Sequence, residues 1–373
     1  MGKKISFIMK DRGVNFYGLL GVVLTLIIGG LLILASVSMP ISLEKTGGAY
    51  YFLTHQLLYG FLPGLVLGLI ALWFPIKRFK KYTPYIFLVG LILVGATFIP
   101  VVGLGLKGAS RWLKIGSISF QPSEFLKISF ILYWAYLLSA LKERAKNKEL
   151  FIAFWLTTFI IGLVLLLQPD MSTLIIILGT SLGMYFISGI SWKKLTSIIL
   201  ILMILGAVFI PLAGYRLSRL NTFLHPEQDP LSSGYQLRQQ ILAIGSGGLL
   251  GKGLGFSNQK FGFLPHSMSD SIFAIISEET GLIGASMVIL LFVLLTWFGF
   301  KICLQNSDHF SCFLGIGVIL WIDIQAIIHM GANIGLIPVS GIPLPFISYG
   351  GSALTAELIA MGFLFNVARQ SKN

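Results

Sequence analysis

Ten stretches of predominantly apolar residues, each long enough to cross a bilayer, punctuate the chain. They lie at residues 16–40, 52–75, 84–102, 121–140, 150–167, 171–188, 195–214, 271–300, 310–335 and 348–367. A helix needs roughly 20 apolar residues to span about 30 Å of hydrocarbon, and inside lipid only a helix or a closed barrel satisfies its own backbone. Runs of this length read as helices, so the sequence predicts an all-α polytopic membrane protein of about ten transmembrane helices. With 55% of the 373 residues hydrophobic and 11% charged, nothing remains from which to build a soluble domain, and the chain reads as one membrane domain. The first run is too long for a signal peptide and has no small-residue cleavage site, so it is read as a retained span.

Charge sets the orientation. With the N-terminus in the cytoplasm, 17 of the 27 Lys and Arg residues fall in cytoplasmic segments, as the positive-inside bias requires, and both termini are cytoplasmic. Nine of the remaining ten cluster outside or just within the next helix: Lys107, Arg111, Lys114, Lys127, Arg216, Arg219, Arg238, Lys252 and Lys260. That exception asks for an anionic partner other than membrane lipid. Cys303 and Cys312 bracket a predicted cytoplasmic loop, where thiols stay reduced, and with His309 between them they lack metal-ligand spacing.

Between the seventh and eighth runs lies a long extracytoplasmic loop, residues 215–270, expected to be partly ordered, either re-entrant or partly helical and packed on the bundle. Its stretch from Gly245 to Gly253 lacks the spacing of a nucleotide-binding P-loop, so no nucleotide cofactor is expected. Glycine at this density either presents amide groups to a phosphate or diphosphate, or allows tight turns and close helix contact.

Acidic residues near the membrane are few enough to be informative. Glu124 and Lys127 stand at i, i+3 and predict an ion pair. Asp170 follows Pro169 where it suits a helix N-terminus, and Asp323 and Glu357 sit inside apolar helices as structural groups. Asp270 closes the long loop just before a span. A carboxylate there serves as a general base, holds a divalent cation, or caps the helix that follows.

Five blocks in order resemble the SEDS family of cell-wall proteins, which includes FtsW, RodA and SpoVE, across essentially the whole chain. They are residues 108–113 with 120–127, residues 168–170, residues 229–236, residues 243–255 and residues 343–352. Residues 255–260 look more like the FtsW branch than the RodA branch. The chain departs from the family at His266, Ser269 and Ser271, where Glu, Thr and Phe are usual, and at His329, where Asn is common.

The resemblance implies a peptidoglycan glycosyltransferase of the bacterial cytoplasmic membrane, which polymerises lipid II at the outer face and releases undecaprenyl diphosphate. Asp270 would be the catalytic residue, deprotonating the acceptor hydroxyl or positioning a divalent cation, Mg or Mn. Arg111, Lys114, Arg238, Lys252 and Lys260 would offset the diphosphate charge, and Trp112 would offer a flat face to a sugar or an anchor at the interface. Gln121, Glu124, Lys127, Gln168 and Asp170 would line the cavity, with Gln236 and Ser348 of the matching motifs also binding substrate. The expected partners are lipid II with its nascent glycan, membrane lipids and a class B penicillin-binding protein; nucleic acid is not among them. Two other readings share these residues: a lipid II flippase, and a weakened scaffold that recruits a transpeptidase.

Overall fold

The computed structural model describes residues 2–100, 102–106, 109–116, 118–143, 147–189, 191–209, 214–228 and 233–370. Lys107 and Gly108, Arg144, Lys146, Asp229 with Pro230, and Lys372 lie outside the described residues. The chain opens with α1 (Gly2–Thr46), then α2 (Tyr51–Gln56), which passes through a π-helical turn (Leu57–Phe61) into α3 (Leu62–Trp73), and α4 (Ile76–Ala96). Three strands follow, β1 (Gly103–Leu106), β2 (Ala109–Ile115) and β3 (Ile118–Phe120). Next come α5 (Pro122–Glu143), α6 (Asn147–Leu167), α7 (Met171–Ile187) and α8 (Trp192–Phe209). The long loop holds α9 (Gly214–Leu224), a 3-10 turn (Pro226–Gln228) and α10 (Ser233–Gly247), before α11 (Ile272–Leu304), α12 (His309–Asn333) and α13 (Gly351–Gln370) close the fold.

Among the described residues, nine helices are long and apolar enough to cross a membrane. The expected sixth span is the exception: α7 has 17 residues, about 25 Å of helix, because Asp170 caps its start. It packs against α5 and α12, in the bundle interior. The architecture is nearly all helical, as expected; residues 103–120 add a three-stranded antiparallel meander in the order β1-β2-β3 beside the start of α5.

Lipid gives apolar side chains no reason to leave it, so helix association rests on close packing. Gly60, Gly64 and Gly68 recur at four-residue spacing and open one side of the π turn and α3 to α13. A Cβ on Gly64 would lie 2.9 Å from Thr355 Cα, and one on Gly68 2.6 Å from the Leu358 carbonyl oxygen. Gly68→Val is therefore expected to lower stability by about 1–3 kcal/mol, read as a fall in thermal midpoint in detergent. An unchanged midpoint would show that the two backbones do not need this approach.

The helix α11 is broken at Gly281 (φ 65°, ψ −166°), a conformation that suits glycine. The backbone groups released by the break are taken up by the glycine-rich stretch, which lies alongside. Lys252 N and Gly253 N donate to the carbonyls of Glu278 and Glu279 at 3.0 Å each, while Leu282 N and Ile283 N donate to Gly248 O at 2.9 Å and Leu249 O at 3.3 Å. Cβ atoms on Gly247, Gly251 or Gly281 would collide with backbone across this contact. Of the two uses open to these glycines in the sequence, the structure shows close contact with a helix. The loop is partly helical and packed on the bundle, as expected.

Two ion pairs fasten the same contact: Lys252 Nζ to Glu278 at 2.6 Å, and the buried Lys260 Nζ to the buried Glu279 at 3.0 Å. Lys260→Met strands a buried carboxylate and is expected to cost about 3–5 kcal/mol. Adding Glu279→Leu removes the stranded charge, so the double variant should recover much of the loss. A double variant as unstable as the single would refute the pairing.

Candidate functional site

A cavity of about 560 Å³ lies where the meander, the ends of α5 and α7, the start of the π turn and the segment 341–353 converge. Seven of the residues singled out in the sequence line it: Arg111, Trp112, Gln121, Glu124, Lys127, Asp170 and Asp270. Neighbouring strand residues point to opposite faces, so Arg111 and Trp112 should not share a wall. The register explains why they do. Leu104 pairs with Trp112 and Gly105 with Ser110, which leaves Arg111 as an extra residue in a β-bulge, a device that re-aims side chains beside sites. Arg111 Nη2 donates to the carbonyl of Pro169, tying the bulge to the start of α7.

At the base of the cavity Lys127 Nζ meets Glu124 at 2.8 Å, the ion pair expected from their spacing. Lys127 also donates to Gln325 Oε1 at 2.8 Å and lies 4.7 Å from the centre of the Trp321 ring. Gln325 Nε2 donates to Glu357 at 3.2 Å, and Glu357 accepts from Phe346 N at 2.8 Å, so Glu357 has the structural role expected of it. Asp323, also read as structural, accepts from Thr296 Oγ1 at 2.8 Å. Asp170 accepts from Thr173 N at 3.3 Å as a helix cap, and from Thr173 Oγ1 and Ser123 Oγ at 2.9 and 3.0 Å. It is both cap and cavity wall.

Asp270 does not cap α11. That position belongs to Ser271, whose side chain makes no capping bond. The segment carrying Asp270 is held through its main chain instead: Asn333 Nδ2 donates to Asp270 O at 2.9 Å, Ser348 Oγ to Ser269 O at 2.7 Å, and Tyr349 N to Met268 O at 2.8 Å. Asp270 lines the cavity from this segment.

The other seven residues named from the sequence stand elsewhere. Gln168 donates to Thr97 Oγ1 at 2.9 Å and Ser110 O at 3.2 Å, behind the bulge. Gln236 donates to Ser271 Oγ at 3.1 Å, and Ser348 braces Ser269, so both act on the Asp270 segment from outside the cavity. Lys114 and Arg238 are exposed away from it. Lys252 and Lys260 are bound to Glu278 and Glu279, which corrects their expected role toward a diphosphate: their charge is already neutralised in the fold. The departures also have places. Ser271 Oγ accepts from Gln240 as well as Gln236 and donates to Pro265 O at 3.0 Å, and His329 Nδ1 bonds Ile342 O at 2.7 Å beneath the cavity wall. Sequence reading missed His55, Tyr59 and Tyr349, which also line the cavity; Tyr349 falls inside a recognised motif, whereas His55 and Tyr59 belong to none.

Among the described residues no group of three His, Cys, Asp or Glu gathers to hold a metal ion. Asp170 and Glu124 are engaged by neighbouring side chains. Asp270 is the third carboxylate that lines the cavity.

A polytopic helical membrane protein with a charged cavity framed by strand, loop and helix ends is the class this architecture defines. Residues 17–373 match the family described as Cell cycle protein, FtsW/RodA/SpoVE, and the chain belongs to that family. It is 39% identical over 361 residues to a probable peptidoglycan glycosyltransferase FtsW of Coxiella burnetii, covering 94% of this chain and 95% of that one. It is 37% identical over 367 residues to stage V sporulation protein E of Bacillus subtilis, covering 95% and 97%. Its fold is that of a chain in a peptidoglycan synthase complex (TM-score 0.74, 24% identity, 95% of this chain and 98% of the other). The rod shape determining protein RodA of Thermus thermophilus has the same fold (TM-score 0.70, 23% identity, 96% and 97%).

Proposed function

We propose that the protein is a peptidoglycan glycosyltransferase that polymerises lipid II at the outer face of the cytoplasmic membrane. The observation that carries this reading is the meeting of Asp270, Arg111 and Trp112 on one cavity of a membrane-embedded bundle. A base, a cation and a flat apolar face are what transfer of a sugar from a diphosphate carrier requires. The basic residues at this end, against the positive-inside bias, fit an anionic carrier approaching from outside, with both termini cytoplasmic.

In the proposed step the acceptor hydroxyl oxygen forms a bond to the anomeric carbon of the donor. The bond from that carbon to the diphosphate oxygen breaks, and the pair leaves with undecaprenyl diphosphate. Asp270 takes the hydroxyl proton, and Arg111 stabilises the charge growing on the diphosphate. A divalent cation, when bound at Asp270, would supply further Lewis-acid stabilisation to the same diphosphate. The partner that would crosslink the product is a class B penicillin-binding protein.

Purified protein given labelled lipid II, with and without a cognate transpeptidase, tests this. A ladder of glycan chains that lysozyme digests is expected. No polymer under either condition, from protein that is folded and binds lipid II, would overturn the reading.

A further inference from the structure

Part of the cavity lining is aromatic: His55, Tyr59 and Tyr349 share it with Asp270. Tyr51, His55 and Tyr59 follow one another along α2 and the π turn, with ring centres 6.2 and 4.7 Å apart. His55 and Tyr59 line the cavity and Tyr51 does not, although Tyr51 and Tyr59 are equally exposed, at 49 and 48%.

The π turn is a costly local departure from an α-helix, and such turns recur at functional sites. Here it is pinned to the start of α13 from three sides. Thr355 Oγ1 donates to Gly60 O at 3.0 Å, Gly350 N donates to Gln56 Oε1 at 3.0 Å, and a Cβ on Gly60 would sit 3.0 Å from Gly351 Cα. Tyr349 Oη lies 3.0 Å from His55 Nδ1. The phenol thus fixes the imidazole plane.

A pyranose ring presents one face of C–H groups to which the electron-rich face of an aromatic ring is complementary, while its hydroxyls reach for polar edges. We propose that His55 and Tyr59, with His55 held by Tyr349, form a stacking platform for a pyranose ring of the saccharide substrate. The platform lines the same cavity as Trp112 and Asp270. This assignment rests on the polymerase reading and adds to it residues that position the sugar.

Polymerisation kinetics of Tyr59→Leu, Tyr59→Phe and Tyr51→Leu in vesicles test it, with binding of fluorescent lipid II and thermal midpoints measured on the same preparations. Tyr59→Leu is expected to raise KM about tenfold and weaken lipid II binding about tenfold, with kcat falling less than about threefold. Tyr59→Phe restores the ring and should recover most of that loss. Tyr51→Leu removes an equally exposed ring outside the cavity and should leave KM in place. If Tyr51→Leu and Tyr59→Leu behave alike, these rings anchor the helix at the membrane interface and the platform is refuted. It is equally refuted if Tyr59→Phe is no better than Tyr59→Leu, or if the losses follow the thermal midpoint. Should the parent bind lipid II and make no polymer, the polymerase reading fails, and the binding comparison still decides the platform.

Discussion

Asp270→Asn is expected to slow polymerisation by roughly 10²–10⁴-fold, the contribution of a positioned general base. The change is nearly isosteric, and the bonds that hold this segment, from Asn333 to Asp270 O, from Ser348 to Ser269 O and from Tyr349 N to Met268 O, involve main-chain acceptors that Asn retains. Binding of lipid II and the thermal midpoint should therefore stay close to the parent while kcat collapses. Single-turnover measurement of glycan chain formation reads this directly. A kcat within about threefold of the parent would remove Asp270 from the reaction.

Arg111→Ala should cost about 10²–10³-fold in kcat, the usual loss when one preorganised donor to a developing negative charge is deleted. Of the five cations nominated for the diphosphate, Arg111 alone lines the cavity; Lys127, named for the lining and not for the diphosphate, is paired with Glu124. Arg111→Lys should restore little. The guanidinium has donors in a fixed fork, one of them already bound to Pro169 O, and a lysine cannot hold that carbonyl and address a diphosphate with the same geometry. Full activity of Arg111→Lys would mean that charge alone is used at this position.

The membrane spans were legible because apolar length is a one-dimensional property: nine of the ten runs became crossing helices, and the tenth is the short α7. The Glu124–Lys127 pair was legible because i, i+3 spacing on a helix fixes proximity without reference to the rest of the chain. The strands of residues 103–120 were not. Their pairing depends on a bulge that only the partner strand defines, and Gly103–Leu106, at four residues of which two are glycine, is too short to read as a strand. Lys252 and Lys260 were assigned to the substrate because an external basic residue beside glycines resembles an anion site. Their true counterions, Glu278 and Glu279, lie 26 and 19 residues away and meet them where the glycine-rich stretch packs beside the break in α11 at Gly281. His55 and Tyr59 escaped notice because aromatic residues at helical spacing near a span end are what any interface belt contains. Membership of one site becomes visible only when α13 brings Tyr349 to His55.

The most direct test of the central claim places the protein in sealed vesicles with lipid II on both leaflets and follows glycan polymer and lipid II translocation together, for the parent and Asp270→Asn. The account predicts polymer from the parent, at least 10²-fold less from the variant, and the same translocation with or without protein. Translocation that depends on the protein and survives Asp270→Asn, with polymer from neither, would contradict it and make the cavity a passage for lipid II.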